Sequence, residues 1–326
     1  MSNPQTNNLA PSVPHPIAEA TDLIDAWLEF ERLNGASIRT IETYRESIAV
    51  FIVWTEDTDV LGRSMAASDI RAYKDFLSKA YSPATVNIRL SAIRSFYRWM
   101  VTTDRLPFNP AKEVKGAKRS NSTQHKRDAL TAGEMLRIFA ACNAETETGI
   151  RDRAMLTLFA YCALRTIEVH RANIEHLQTQ GERMILRVWG KGHVEADELV
   201  VIPVDQEPYM HDWIRVRMGI SPTDYAAPLF VSLSTRGRGN RLSTRAIREI
   251  IKTLYRQAGV IGQRKTTHSL RHTAITTAIR RGATPMQVQA MARHKSFDTT
   301  LNYYHEVNRL DSPAEDTISY DKKPPQ

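Results

Sequence analysis

Residues 183–203 read Arg-Met-Ile-Leu-Arg-Val-Trp, then Gly-Lys-Gly at 190–192, then, after a polar stretch, Glu-Leu-Val-Val-Ile-Pro from Glu198. Two short apolar, β-branched runs on either side of a glycine-bracketed turn are the pattern of a β-hairpin. On both sides of this stretch the apolar residues recur at steps of three and four, the spacing of helices. The chain is therefore expected to be mainly α with a small β-sheet.

Toward the C-terminus the spacing predicts helices over Tyr209–Met218, Ser243–Ala258, Leu270–Arg281, Pro285–Arg293 and Phe297–Glu306. Toward the N-terminus, Thr131 opens a helix over Ala132–Cys142, and Gly149–Tyr161 is apolar enough for the middle of a core. Residues 107–128 then hold two prolines and six Lys or Arg against one Glu and one Asp, the composition of an exposed basic linker. Four helical stretches precede it. The first is Ile17–Leu33, and the second follows Ser37 with Ile41, Tyr44, Ile48, Phe51 and Ile52. The third has Ser68 as its cap and carries Ile70, Tyr73 and Phe76; the fourth is Pro83–Val101. In the fourth, Val86, Leu90, Ile93, Tyr97 and Met100 form one stripe and Asn87, Ser91, Arg94 and Arg98 the opposite face. The expected organisation is a polar N-terminus (1–16), a helical domain (17–106), the linker (107–128), a second domain (129–310) and a tail (311–326).

A length of 326 residues fits two domains, and 42% hydrophobic residues excludes a disordered or fibrous chain. Forty-four Lys and Arg against 36 Asp and Glu leave a net charge of +8, which favours a polyanionic partner. A second basic patch stands at Arg236, Arg238 and Arg241. Cys142 and Cys162 lie far apart among apolar residues, so they read as buried thiols in a reducing compartment and not as a disulfide framework or a four-thiolate zinc site. Residues 1–16 lack the layout of a signal peptide, and the longest apolar run, Met155–Leu164, is too short to span a bilayer. The expectation is a cytoplasmic, nucleoid-associated protein with no membrane attachment.

The densest chemical signal is Thr267-His268-Ser269-Leu270-Arg271-His272-Thr273. On a helix, a separation of three places His268 and Arg271 side by side, an imidazole and a permanent cationic fork able to hold one anion. Alone, such a pair is as much at home on a solvated face.

Four further segments stand in order around it: Leu164-Arg165-Thr166-Ile167-Glu168, Gly190-Lys191-Gly192, Ala292-Arg293-His294-Lys295-Ser296, and Thr299-Thr300-Leu301-Asn302-Tyr303-Tyr304-His305. Together with His268 and Arg271 they resemble the signature of the tyrosine recombinase, or phage integrase, family. Arg89-Leu90-Ser91-Ala92-Ile93-Arg94-Ser95-Phe96-Tyr97 is similar to the family's core-binding domain, so the resemblance covers about residues 17–310. It implies a two-domain C-shaped DNA clamp, with an N-terminal four-helix core-binding (SAM-like) domain and a C-terminal catalytic domain. The implied activity is site-specific integration, excision or resolution of DNA through a 3′-phosphotyrosine intermediate, with no cofactor and no metal.

By the same resemblance Arg165 and Arg271 grip the non-bridging phosphate oxygens, Tyr303 attacks phosphorus, and Lys191 protonates the leaving 5′ oxygen. His268 takes the tyrosine proton, His294 donates to the phosphate, and Glu168 orients its neighbours, His268 among them. Physical chemistry favours the arginines independently, because a planar guanidinium meets two oxygens at once and cannot lose its charge. Double-stranded DNA is the expected partner, contacted through Thr40, Tyr44, Arg45, Asn87, Ser91, Arg94 and Arg98. A homotetramer on two recombination sites, an accessory DNA-bending protein, and a tail docked on a neighbouring protomer are also implied.

Two positions depart from the family pattern: Arg293 stands where glycine is usual before the second histidine, and Cys162-Ala163-Leu164 replaces a glycine-containing turn. Tyr304 is a competing nucleophile, but Tyr303 is nine residues after His294 and two before His305, as the pattern requires. Blander readings stand beside these. Arg165 serves equally as a helix C-cap, Lys191 as a turn lysine, and the tyrosines as core aromatics. Rival functions are a type IB topoisomerase-like enzyme, a catalytically silent DNA-binding regulator, and a metal nuclease built on His268, His272 and His294.

Overall fold

Helix starts follow from local side-chain chemistry. Ser37 Oγ accepts from the Thr40 N–H at 3.1 Å ahead of α2 (Ile38–Asp57), after α1 (Pro16–Leu33). Ser82 Oγ accepts from the Thr85 N–H at 3.3 Å ahead of α4 (Pro83–Thr102), whose proline sits in the first turn where its missing N–H costs nothing. The third helix corrects the expectation for Ser68. α3 (Ala67–Ala80) begins before that serine, and the Asp69 carboxylate accepts from the Ala66 N–H at 2.8 Å. An acid at the third helical position reaches back to the cap, so no hydroxyl is required.

These elements come from a computed structural model that describes residues 16–57, 65–118, 129–190, 195–262 and 264–311, with 313, 316 and 318. Lys191, residues 1–15 and 119–128, and most of the tail lie outside the described residues. The chain divides into two compact units, Met1–Asn121 and Ser122–Gln326.

The first unit packs α1 to α4 around Trp27, Ile70, Tyr73, Leu77, Val86, Leu90 and Ile93. The Trp27 ring stacks on Tyr44 at 5.3 Å and meets Phe96 edge-on at 5.4 Å. Phe76, expected on the apolar stripe, is exposed, and Leu77 takes the buried place. Residues 107–118 are only in part the exposed linker that their composition suggests: Phe108, Lys112, Lys115 and Lys118 are exposed, but the segment is anchored to the helices. Ala111 and Val114 are buried in the same core. Asn87 donates to the Ala117 carbonyl at 3.0 Å and accepts from its N–H at 2.7 Å, and Arg94 donates to the Val114 carbonyl at 2.6 Å. Side chains of α4 thus satisfy a backbone that composition alone marks as a solvated linker.

In the second unit, α5 (Ala132–Ala140) opens with a reciprocal Thr131–Glu134 cap. α6 (Glu147–Ala160) is buried on nearly every face, with Ala154, Met155, Leu156, Leu158 and Phe159 all enclosed. α7 (Thr166–Arg171) follows a tight turn. A three-stranded antiparallel sheet comes next, in the order β1 (Leu177–Gln180), β2 (Arg183–Val188), β3 (Glu198–Val201). β2 and β3 form the expected hairpin, with Val188 opposite Glu198. β1, Leu-Gln-Thr-Gln, is an edge strand, and its polar sequence has no apolar alternation to announce it.

The chain continues through α8 (Glu207–Met218), α9 (Thr244–Gln257), α10 (Thr267–Arg280), α11 (Pro285–Ala292) and α12 (Phe297–Asp311). Cys142 and Cys162 are free and buried, and burial pushes both thiols up to about 12. Among the described residues, no helix is long and apolar enough to cross a membrane.

Candidate active site

The site forms where the turn after α6 meets the ends of α10, α11 and α12. Ala163 and Arg293 both adopt left-handed backbone, at φ 51° and 52°. These are the two positions where the chain departs from a glycine-bearing pattern, and the backbone keeps the conformation that glycine would allow. The conformation costs a non-glycine residue about 1 kcal/mol or more, which the surrounding hydrogen bonds must offset.

What those turns present is a set of inward carbonyls. Arg271, buried on α10, donates from Nη1 to the Ala163 carbonyl and from Nη2 to the Ala292 carbonyl. Arg165, at the head of α7, donates from Nη2 to the carbonyls of Arg293 at 3.0 Å and Ala292 at 3.4 Å. Arg165 does cap a helix C-terminus, but that of α11 and not of the α6 helix that precedes it. Its side chain keeps 31% of its surface exposed, against 3% for Glu168. A guanidinium has five N–H donors, so neither arginine is exhausted by these bonds.

Glu168 binds these groups together. Its Oε2 accepts from the Arg165 N–H at 2.6 Å and its Oε1 from Arg165 Nη1 at 2.7 Å. The Arg293 guanidinium reaches the same carboxylate, Nη2 to Oε2 at 2.8 Å and Nε to Oε1 at 3.4 Å. Burial alone would raise the Glu168 pKa, but the charge and hydrogen bonds of Arg293, with the Arg165 contacts, hold it below the ordinary carboxylate range. Arg271 moves the other way. Burial, then the charges of Arg165 and Arg293, bring it down to about 9.

Tyr303 on α12 is 8% exposed and sits between two imidazoles, the His272 ring at 5.3 Å and the His294 ring at 5.8 Å. Burial raises its pKa, while the charges of Arg271 and Arg165 pull in the opposite direction. His294 follows the α11 cap, and its Nδ1 is 2.9 Å from Thr300 Oγ1. Tyr304, the next residue, points elsewhere and donates its hydroxyl to the Ala283 carbonyl.

His268 is exposed in the first turn of α10 and lines a cleft of about 270 Å³ with Thr166, Arg248, Lys252, Thr266 and Thr267. Thus Arg165, Glu168, Arg271, His294 and Tyr303 converge, with His268 at this neighbouring cleft. Sequence reasoning missed Arg293, Thr300 and the exposed row Arg245, Arg248, Lys252 and Arg256 on α9. Their helical spacing of three and four was the available signal for that row. Among the described residues, no group of three or more His, Cys, Asp or Glu side chains is placed to hold a metal ion.

Of the residues expected to touch DNA in the first unit, Thr40, Tyr44, Asn87 and Ser91 line a groove of about 340 Å³ between α2 and α4. Arg45 pairs with Asp25 at 2.8 Å on the surface, and Arg98 is exposed. Asn87 and Arg94 also fasten the 114–117 backbone, as described above.

Comparison with known proteins places this arrangement. Residues 128–309 match the model of the phage integrase family, and residues 23–105 that of the phage integrase N-terminal SAM-like domain. The chain belongs to the phage integrase family of tyrosine recombinases. It is 30% identical to a tyrosine recombinase of Synechococcus elongatus over 86% of this chain and 88% of that one. It is also 30% identical to tyrosine recombinase XerC of Chlamydia trachomatis serovar L2, over 80% of each. Among solved structures, XerH recombinase bound to a palindromic difH substrate superposes with a TM-score of 0.71 at 15% identity, covering 95% of this chain and 90% of that one. The Tn1549 transposon integrase in complex with circular intermediate DNA gives 0.67 at 18% identity, covering 91% and 99%. This tyrosine recombinase is a site-specific recombinase, an enzyme that breaks and rejoins DNA strands.

Proposed function

We propose that Tyr303 is the nucleophile, and that the single strongest support is its seat: buried between His272 and His294 under the charges of Arg271 and Arg165. Its phenol oxygen attacks phosphorus, the bond to the 5′ oxygen breaks, and a 3′-phosphotyrosine forms. Arg165 and Arg271 turn toward the two non-bridging oxygens, where charge develops. Lys191 protonates the leaving oxygen, His294, steadied by Thr300, donates to the phosphate, and His268 accepts the phenol proton. His272 is a second acceptor candidate because its ring packs against Tyr303. Glu168 holds Arg165 by both its backbone and its side chain. Attack by a 5′ hydroxyl of another strand reverses the sequence and conserves the phosphodiester bond energy.

The duplex is gripped on phosphates by the α9 row and on the first unit by Thr40, Tyr44, Arg45, Ser91 and Arg98. Asn87 and Arg94 contribute from the same face. Two recombination sites are brought together in a homotetramer, assisted by an accessory DNA-bending protein, in the cytoplasm on the nucleoid.

The test is a nicked suicide duplex carrying the DNA that flanks the gene, incubated in EDTA and resolved on a denaturing gel. A protein–DNA adduct that survives EDTA, is lost in Tyr303→Phe and persists in Tyr304→Phe is the expected result. Loss in Tyr304→Phe with retention in Tyr303→Phe moves the nucleophile, and loss in EDTA points to metal-dependent cleavage.

A further inference from the structure

Arg293 has no part in the roles assigned above, yet its side chain is 4% exposed and committed in several directions. Nη1 donates to the Met291 carbonyl at 2.7 Å and the Cys162 carbonyl at 3.4 Å. Nη2 donates to the Ala163 carbonyl at 3.2 Å and to Glu168 at 2.8 Å. Its Nε also faces Glu198 Oε2 at 3.8 Å, at the start of β3. Two costs accompany this placement: a left-handed backbone that glycine would adopt freely, and a guanidinium removed from water.

We infer that Arg293 is a positioning residue, holding Glu168 and the 162–163 turn in the arrangement from which Arg165 and Arg271 reach one phosphate. The inference rests on the catalytic reading above. The geometry supports it in two ways. First, the Ala163 carbonyl accepts from both Arg271 and Arg293, so the turn that seats one arginine is itself clipped by the other. Second, each Glu168 oxygen is shared between Arg165 and Arg293. With Arg293 gone, the freed lone pairs draw Arg165 into closer pairing with Glu168 and away from the substrate oxygens. An arginine that only filled space would have neither consequence.

The experiment compares wild type, Tyr303→Phe, Arg293→Gly and Arg293→Lys on the suicide duplex, measuring DNA affinity and, at saturating protein, the rate of adduct formation. Glycine suits the backbone at 293, and the guanidinium it removes lined an open cavity of about 360 Å³ with Glu198, Gln289 and His294. Arg293→Gly is expected to bind DNA within about threefold of wild type and to cleave about 10- to 100-fold more slowly, the scale of a slightly misplaced catalytic group. Adding guanidinium chloride at about 50 mM should restore part of that rate, since the ion fits the vacated place beside Glu168.

Cleavage at the wild-type rate in Arg293→Gly overturns the inference. So does a loss of cleavage matched by an equal loss of DNA affinity and left unchanged by guanidinium. Should the glycine variant fail to fold, Arg293→Lys decides by the same readout: it keeps the charge without the fork, so slowed cleavage with retained binding supports the inference and an unchanged rate overturns it. An adduct that persists in Tyr303→Phe overturns the catalytic reading itself, an outcome distinct from either.

Discussion

Among the described residues, the first unit buries Ser47, Thr55, Asp69 and Ser95 but no arginine or lysine, whereas the second buries Arg151, Arg217, Arg271 and Arg293 with Asp152 and Glu168. The first is held by rings, with Trp27, Tyr44, Phe51, Tyr73, Phe96 and Tyr97 in mutual contact. The second shows that a buried guanidinium is not by itself a functional sign. Arg151 pairs with its neighbour Asp152, and Arg217 donates to the carbonyls of Pro228, Ile220 and Pro222, which clips a loop. What separates Arg271 is a titratable phenol within its field and a half-exposed arginine beside it. On the function proposed above, this is where the substrate phosphate is met.

The comparison breaks most easily at Trp27, which is fully buried, stacked on Tyr44 and met edge-on by Phe96. Trp27→Ala should cost about 4 to 5 kcal/mol, the upper part of the range for deleting a core aromatic. Calorimetry should show the first unit's transition lowered and the second unit's nearly in place. An equal fall in both transitions would mean that the two cores do not stand apart energetically.

Glu168 tests the other side. Glu168→Ala strands two arginines around an empty place, and removing one partner of a buried ion pair costs about 3 to 4 kcal/mol. Because Arg293 and Arg165 hold the folded Glu168 pKa below its unfolded value near 4.3, its stabilisation is complete above that value. It is lost as pH falls through the lower folded value. The gap in unfolding midpoint between wild type and Glu168→Gln should therefore be widest at neutral pH, begin to narrow as pH falls below about 4.3, and close only below the lower folded value. A gap that does not change with pH would show that the carboxylate's charge is not what stabilises this region.

These contrasts explain what was legible in the sequence. The first unit's helices could be read because a stripe such as Val86, Leu90, Ile93 and Tyr97 is a local pattern. Residues 107–118 could not, because lysines and prolines say nothing of Asn87 and Arg94 reaching across from α4. In the second unit the resemblance named Arg165, Glu168, Arg271, His294 and Tyr303, and the fold brings these five together. Arg293 was legible only as a substitution for an expected glycine. Its partner lies 125 residues away, and only the turn at 163 and the end of α11 bring the two charges together.

The smallest effect concerns the start of α4, where both kinds of region would behave alike. Ser82 supplies a cap oxygen to the Thr85 N–H from an exposed position, with no ring or buried charge involved. Ser82→Ala should cost about 1 kcal/mol, the ordinary value of an N-cap hydroxyl. Thr131→Ala at the head of α5 should cost about the same, because its hydroxyl accepts from the Glu134 N–H in the same way. Matched losses would place the difference between the units in their interiors. A markedly larger loss at Thr131 would instead extend the second unit's reliance on polar contacts out to its surface, since Glu134 also pairs with Lys265 ahead of α10 and would carry the damage inward.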